Sequence, residues 1–142
     1  MIDYVVGFVF DHEIEHIMLI EKNRPIFQKG LLNGPGGKME INHTTGVFET
    51  PHEAMQREMF EETGLHIVDW YHFATIYGTN WRLNCLTAIS SLSGFESKTD
   101  EKVDIFNLDE VPFLPLVSNL FWLIPLSMDR SIVGPTLFTA SE

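Results

Sequence analysis

The sequence predicts an α/β fold of the α+β kind, with strands and helices in one domain covering residues 1–142. Two observations carry this prediction. Ile2 to Phe10 is apolar on both alternating faces, which is typical of a strand covered on both sides. Thr50 to Leu65 combines a helix start, a run of good helix formers and a terminating glycine. A length of 142 residues fits one domain with a sizeable core.

The composition limits the classes of partner. A net charge of −11 argues against a general binder of nucleic-acid polymers or of anionic membranes. A nucleotide substrate remains compatible with this charge, because bound metal ions can supply the missing positive charge. The single cysteine, Cys85, permits no internal disulfide and indicates a cytoplasmic protein. Val111 to Met128 lacks charged residues, but three prolines interrupt it, so we interpret it as containing a buried helix rather than a membrane span.

The remaining elements follow in order. Ile14 to Glu21 predicts a second strand that forms a hairpin with the first. Lys22 to Pro25 is a short basic loop, interpreted as either a solvated turn or a phosphate contact. His66 to Thr79 predicts one or two strands, and Asn80 to Arg82 predicts a turn before a strand over Leu83 to Ser90.

The last third of the chain begins with a polar stretch. Ser91 to Lys102 is rich in serine and acidic residues and predicts a loop. Val103 to Leu108 predicts the final strand, and Val117 to Leu126 predicts the last helix.

The central helix has a defined start and end. Thr50 is a capping residue, Pro51 suits the first helical position, and Glu53 lies three residues after the cap. Gly64 can adopt the left-handed conformation that closes a helix. We therefore expect the helix to begin after Thr50 and to end at Gly64.

Three glutamates share one side of this helix. With about 100° per residue, Glu61 lies about 60° to one side of Glu58 and Glu62 about 40° to the other. Such like charges repel, and a hard divalent cation such as Mg²⁺ would offset the repulsion. A solvated acidic helix face is the alternative interpretation. A calcium site fits poorly, since calcium loops draw their ligands from irregular backbone.

These residues resemble the Nudix box, whose pattern is G, five residues, E, seven residues, then REUxEExGU, where U is a bulky apolar residue. The match covers Glu49 and then Arg57-Glu58-Met59-Phe60-Glu61-Glu62-Thr63-Gly64-Leu65, and Gly36-Gly37-Lys38 resembles the family's GGK. Eleven residues separate Gly37 from Glu49 where the pattern has five, which indicates a six-residue insertion around residues 41–46. Surface loops tolerate such extra length.

The resemblance implies a Nudix-like mixed β-sheet sandwiched between helices. It also implies roles for particular residues. The metal ligands would be Glu58, Glu61, Glu62 and the carbonyl of Gly37. Arg57 and Glu49 would orient the site, Lys38 would contact phosphate, and Asn33 would contact the base, as in the family's oxidised-purine triphosphatases. A further catalytic carboxylate is expected in the loop before the predicted final strand, with Glu101 preferred over Glu96 and Asp100.

The resemblance implies an enzyme: a Mg²⁺-dependent pyrophosphohydrolase, with Mn²⁺ as an alternative ion. Its substrate would be a small-molecule nucleoside diphosphate linked to another group, X. Within that class we favour a nucleoside triphosphate, modified or not, cleaved to a monophosphate and pyrophosphate. ADP-ribose or a dinucleotide is the alternative substrate, and a non-catalytic Nudix-fold nucleotide-binding domain is the alternative class. The protein is expected to be a monomer or a homodimer that contacts neither membrane nor nucleic-acid polymer.

Overall fold

The structure, a computed structural model, describes residues 1–141. Within that range the chain forms one eight-stranded sheet and two α-helices. The strands are β1 (Ile2–Phe10), β2 (His16–Glu21), β3 (Leu32–Asn33), β4 (Gly36–Lys38), β5 (Tyr71–Tyr77), β6 (Trp81–Ile89), β7 (Val103–Asn107) and β8 (Thr136–Thr139). The helices are α1 (Pro51–Thr63) and α2 (Leu120–Met128), and short 3₁₀ turns cover Ile26–Gln28 and Leu108–Phe113.

The sheet is mixed and is organised around β1. On one side β1 pairs in parallel with β6 along its whole length, from Ile2 to Phe10. On the other side it pairs antiparallel with β4 near its start and with β2 at its end. The strand order is β3-β2-β1-β6-β5-β8, with β7 paired to β2, and the β5–β8 pair is also parallel. The predicted hairpin of the first two strands is confirmed.

Alternate residues of β1 face two separate cores, as period-2 strand geometry requires. Val6, Phe8 and Phe10 are buried on the face that packs against α2. Val5 and Val9 are buried on the opposite face, with Met55 and Met59 of α1. The sheet therefore lies between the two helices, and the predicted sandwich is confirmed.

Gly7 of β1 sets how closely α1 approaches the sheet. A β-carbon at this position would lie 2.8 Å from Sδ of Met55 and 2.9 Å from a ring carbon of Trp70. Real β-carbons do not approach heavy atoms so closely, so glycine lets the helix pack directly on the strand. This packing fixes the height of the α1 side chains above the sheet.

Several predicted elements are wrong in position. Within residues 66–79 only Tyr71–Tyr77 is a strand, and Trp81 and Arg82 belong to β6 rather than to a turn, because Trp81 pairs with Ile2 of β1. The segment over residues 103–107 is not the final strand, since β8 follows and pairs with β5.

The structure also locates the last helix and the single cysteine and bears on the question of a membrane span. The last helix begins at Leu120 rather than Val117 and extends to Met128. Cys85 is a buried core residue, and burial raises the pKa of its thiol to about 12. None of the helices in residues 1–141 combines the length and the apolar character that a bilayer crossing requires.

Candidate active site

The register of α1 is fixed at both ends. Thr50 Oγ1 accepts a hydrogen bond from the backbone N–H of Glu53 at 3.2 Å, and Glu53 Oε1 accepts one from the N–H of Thr50 at 2.9 Å. Pro51 is the first helical residue, and Gly64 closes the helix with φ 78°. The predicted start and end of the helix are confirmed. The capping box and Gly64 therefore set the two ends of the helix.

Two glycines of β4 allow the glutamates of α1 to reach the backbone. A β-carbon on Gly37 would lie 2.5 Å from Oε1 of Glu58, so any larger residue would push this carboxylate out of its present place. The backbone N–H of Gly36 donates to Oε1 of Glu62 at 3.3 Å. Gly36 and Gly37 of β4 and two of the three glutamates, Glu58 and Glu62, thus form one site between β4 and α1.

Glu62 is the most unusual group in this site. It is only 8% exposed, and its Oε2 atom has no hydrogen-bond partner in the protein. Burial, together with the adjacent Glu58 carboxylate, raises the pKa of Glu62 to about 8. Burial also raises the pKa of Glu58, although Arg57 opposes that shift. The unpartnered oxygen of Glu62 therefore has room for a proton, a water molecule or a cation as its partner.

Glu61 is placed differently from the other two glutamates. Its side chain is 54% exposed and accepts a hydrogen bond from Nη1 of Arg57 at 3.2 Å. Within residues 1–141, no three His, Cys, Asp or Glu side chains already converge on one position suited to a metal ion. The helix therefore brings Glu58 and Glu62 together and leaves Glu61 at the rim.

Arg57 connects the helix to the segment before it. Its Nε and Nη2 atoms donate to both oxygens of Glu49, at 2.7 and 2.9 Å, in a bidentate pair. Nη2 also donates to the carbonyl of Lys38 at 3.0 Å, and Nη1 donates to Oε1 of Glu58 at 3.0 Å. The bond to Arg57 lowers the pKa of Glu49, which is 7% exposed. Arg57 thus connects Glu58 to Glu49 and to the backbone of Lys38.

Lys38 and Asn33 lie at the two ends of the glycine segment. Lys38 is exposed, and its carbonyl rather than its ammonium group joins the Arg57 network. Asn33 is half-buried, and its Oδ1 accepts a hydrogen bond from the N–H of Gly34 at 2.8 Å. Because this bond uses Oδ1, the amide nitrogen of Asn33 is the atom that could donate to a ligand.

Glu101 is buried and held by the loop that follows β2. Nζ of Lys22 donates to Oε1 of Glu101 at 3.0 Å, and the backbone N–H groups of Asn23 and Arg24 donate to Oε2 at 2.6 and 3.3 Å. Burial alone would raise the pKa of Glu101, but these donors together lower it. The interpretation of residues 22–25 as a solvated turn is wrong for Lys22, whose side chain is 17% exposed.

The loop of residues 91–102 joins this cluster to α1. The N–H of Lys98 donates to the carbonyl of Glu62, and the N–H of Glu96 donates to the carbonyl of Thr63. Lys22 also lies near Glu62, where its positive charge opposes the rise in the pKa of Glu62. No local pattern in the sequence predicts that Lys22 pairs with Glu101, because the two residues are 79 positions apart.

The chain belongs to the Nudix family: the profile of the NUDIX domain matches residues 2–121. It is accordingly a Nudix hydrolase, a family whose members generally cleave derivatives of nucleoside diphosphates with the help of divalent metal ions. No curated protein sequence matches the chain.

Three solved structures illustrate the shared fold. A MutT structure, from work on the Aliivibrio salmonicida and Vibrio cholerae proteins, is 18% identical with a TM-score of 0.73 and covers 89% of this chain and 97% of its own. The mutator MutT protein from Bacillus halodurans is 21% identical with a TM-score of 0.70, covering 98% and 90%. The NUDIX domain of Shewanella oneidensis NrtR, solved in complex with ADP ribose, is 21% identical with a TM-score of 0.75, covering 92% and 88%.

Proposed function

We propose that this protein hydrolyses the phosphoanhydride bond of a nucleoside diphosphate linked to X, using Mg²⁺, or Mn²⁺, held by the Nudix-box glutamates. A nucleoside triphosphate is the first candidate, cleaved with one water to a nucleoside monophosphate and pyrophosphate. A new bond forms between the water oxygen and phosphorus, and the bridging P–O bond breaks. The observation that supports this proposal best is the buried, unpartnered Oε2 of Glu62 beside the carboxylate of Glu58.

The donor set fits a hard divalent cation. Glu58 and Glu62 offer carboxylate oxygens, Gly37 offers a backbone carbonyl, and such oxygen ligands suit Mg²⁺. Glu61, at the rim, would join them by leaving Arg57, a change that its 54% exposed side chain permits. A bound cation would neutralise the diphosphate and make a water molecule more acidic.

The protein's own residues would position the reacting groups. Arg57 and Glu49 fix the carboxylate of Glu58 through the bidentate pair. The exposed Lys38 ammonium would add positive charge for the phosphates, whose displacement depends mainly on positioning and charge neutralisation.

A carboxylate must also take the proton of the attacking water. The sequence is compatible with two such carboxylates, a box glutamate or Glu101. A box glutamate is the better candidate, because donors already occupy the oxygens of Glu101. Glu101 already accepts three hydrogen bonds and has a lowered pKa.

A second candidate is hydrolysis of ADP-ribose or of a dinucleotide. The likeness to the NrtR domain that was solved with ADP ribose favours it, with a TM-score of 0.75. Asn33 is the proposed contact to the nucleotide base in either case. A nucleotide-binding domain without turnover is the remaining alternative, although all the box carboxylates are present in this sequence.

The proposal is tested by incubating the protein with Mg²⁺ and a panel of nucleoside triphosphates, ADP-ribose, dinucleotides and nucleotide sugars. Products are separated by chromatography. We expect at least one compound to yield a nucleoside monophosphate. Glu62→Gln should abolish this activity, and Glu61→Gln should reduce it, because each removes one charged ligand while preserving shape.

Two results would contradict the proposal. The first is unchanged turnover in Glu62→Gln. The second is tight nucleotide binding by the parent without any product, which would make the chain a binding domain instead.

A further inference from the structure

The helix α2 is apolar on two sides, whereas a surface helix needs only one apolar side to pack on a core. Leu120–Met128 contains no charged residue. Leu120, Leu123 and Ile124 form the buried side and belong to the core between α2 and the sheet. That packing does not require a second apolar side. The composition of α2 therefore indicates that its outer side is also covered in the functional protein.

Phe121, Pro125 and Met128 form this outer side of α2. At about 100° per residue, the three lie within about 60° of one another around the helix axis. All three are exposed, and all three line a groove of about 400 Å³ between α2 and the 3₁₀ turn of Leu108–Phe113. Among residues 1–141, the lining of this groove is apolar apart from Asp129. The outer side of α2 is thus one wall of an open apolar groove.

Two further aromatic side chains extend this surface. Phe113 is the last residue of the 3₁₀ turn, directly follows Val111 and Pro112 of the groove, and is 87% exposed. Trp122 follows Phe121 on α2, and the two are 42% and 49% exposed. The α2 face is the name used below for the groove and five exposed residues: Phe113, Phe121, Trp122, Pro125 and Met128.

The α2 face is large enough to serve as a protein–protein interface. With about 200 Å² for a full aromatic side chain, its three aromatic residues together expose roughly 350 Å². A standard interface buries about 800 Å² on each side, and about 65% of that area is apolar in homodimers. The three aromatic side chains therefore provide more than half of the apolar area that a stable dimer requires, before Pro125, Met128 and the groove are counted.

Two properties of the α2 face favour a second copy of this chain as the molecule that covers it. The face carries both a protruding ring, Phe113, and an open apolar groove, so two copies related by a twofold axis present complementary features to each other. A helix that is apolar on all sides is also typical of permanently covered surfaces, because a transient partner would leave it in water. Another copy of the chain is always present with the first.

The charge of the chain opposes this association only weakly. Two copies repel each other, since each carries a net charge of −11. The exposed charged residues of the 3₁₀ turn and the end of α2 have both signs, because Arg130 accompanies Asp109, Glu110 and Asp129. Charges more than about 8 Å apart are largely screened at physiological salt. Added salt should therefore strengthen the association of two copies, whereas it would weaken the binding of a basic partner to these acids.

We infer that two copies of this chain form a homodimer through the α2 face, with apolar side chains of each copy covering the groove of the other. The Nudix-box helix α1 packs on the opposite face of the sheet from α2. Two copies can therefore pair in this way without covering either Nudix box. The inference is independent of the proposed function, because it depends on the apolar surface of α2 and not on the metal site.

Sedimentation equilibrium of the full chain tests this inference. We expect particles of twice the 16.3 kDa of one chain, with a dimer Kd of about 10 µM or tighter that falls further as NaCl rises from about 20 to 500 mM. Phe121→Ala should raise the Kd about tenfold or more, because truncated aromatic residues weaken interfaces most. Phe60→Ala is the matched control: Phe60 is 45% exposed but lies on α1 and stacks on His66, so the Kd should stay within about twofold.

Phe113→Ala provides a second variant, because a side chain this exposed can be removed with little effect on folding. It should raise the Kd at least severalfold while the circular dichroism spectrum stays that of the parent. A parent that remains monomeric at about 200 µM would overturn the inference, and binding of a helical leucine–lysine peptide to that monomer would assign the groove to a basic partner instead. An unchanged Kd in both α2-face variants, or an equal rise in Phe60→Ala, would also overturn it, since the interface would then lie elsewhere.

Discussion

Two buried glutamates on the same side of the molecule have opposite surroundings. Glu101, 6% exposed, receives hydrogen bonds from Lys22 and from two backbone N–H groups, and its pKa is lowered. Glu62, 8% exposed, receives a single bond from the N–H of Gly36, and its pKa is raised to about 8. The two carboxylates, similarly shielded from solvent, thus have opposite pKa shifts, because donors surround Glu101 whereas burial and the adjacent Glu58 carboxylate dominate at Glu62.

These different surroundings suit Glu101 and Glu62 to different roles. A carboxylate whose oxygens are all satisfied stabilises the loop that holds it, because its charge is balanced within the fold. A buried carboxylate with an oxygen left over is costly unless a proton or a cation joins it. We therefore expect the Glu101 cluster to act as an anchor and the Glu58–Glu62 pair to act as the ligand site.

After the loss expected in Glu62→Gln, the largest effect on hydrolysis should come from filling the space beside Glu58. In Gly37→Ala, the new methyl group would lie 2.5 Å from Oε1 of Glu58 and displace it, so hydrolysis should fall by about 100-fold or more. Kinetics with the best substrate of the panel measures this loss. Gly46→Ala is the control: it meets open space in the insertion, and although φ 72° makes it mildly strained, its activity should persist. Equal activity in the two variants would contradict the proposed site.

Glu62 and Glu101 should change the free energy of unfolding in opposite directions as the pH rises. Without metal, folded Glu62 keeps its proton up to about pH 8, whereas the unfolded chain releases it near its ordinary pKa of 4.5. The folded state thus binds the extra proton between these values, and the free energy of unfolding should fall as pH rises through this window, by an amount of the order of a few kcal/mol. Urea unfolding in EDTA measures it.

The control for this prediction is Glu62→Gln, which should flatten the fall between pH 4.5 and 8. Glu101 has a lowered pKa, so the stability it contributes is present above its ordinary pKa and disappears as pH falls through the folded value. A fall of the same size in Glu62→Gln as in the parent would show that other groups cause it.

A smaller effect is expected from Glu101→Gln. The amide can still accept from the backbone of Asn23, but Lys22 loses its charged partner, so the free energy of unfolding should drop by about 1–3 kcal/mol. If Glu101 anchors rather than accepts the proton, kcat should change much less than in Glu62→Gln. A loss of kcat equal to that of Glu62→Gln, in a protein that unfolds at the parent's urea concentration, would assign catalysis to Glu101.

The smallest effect should come from the cap of α1. Thr50→Ala removes the acceptor for the N–H of Glu53 and should lower the free energy of unfolding by about 1 kcal/mol. The pH window of the parent should persist, because the change leaves the surroundings of Glu62 intact. Urea unfolding at two pH values checks both statements.

The elements whose signals are local were predictable from the sequence. The capped helix and the first hairpin each depend on neighbouring residues, such as Thr50 with Glu53, so their patterns are readable along the chain. The spacing of Arg57, Glu58, Glu61 and Glu62 likewise placed these side chains on one helix. The strand β8 was missed, because a four-residue segment has little local signal and exists through its parallel pairing with β5.

The sequence by itself determined which helix carries the acidic residues and where that helix begins and ends. Only the tertiary structure decided that Glu62 is left with an unpartnered oxygen while Glu101, of the same residue type, is fully bonded. The reason is physical: the pKa of a carboxyl group depends on the donors and charges around it, and these come from segments distant along the chain. Lys22 and Gly36 reach the two glutamates only because β2 and β4 lie in the same sheet.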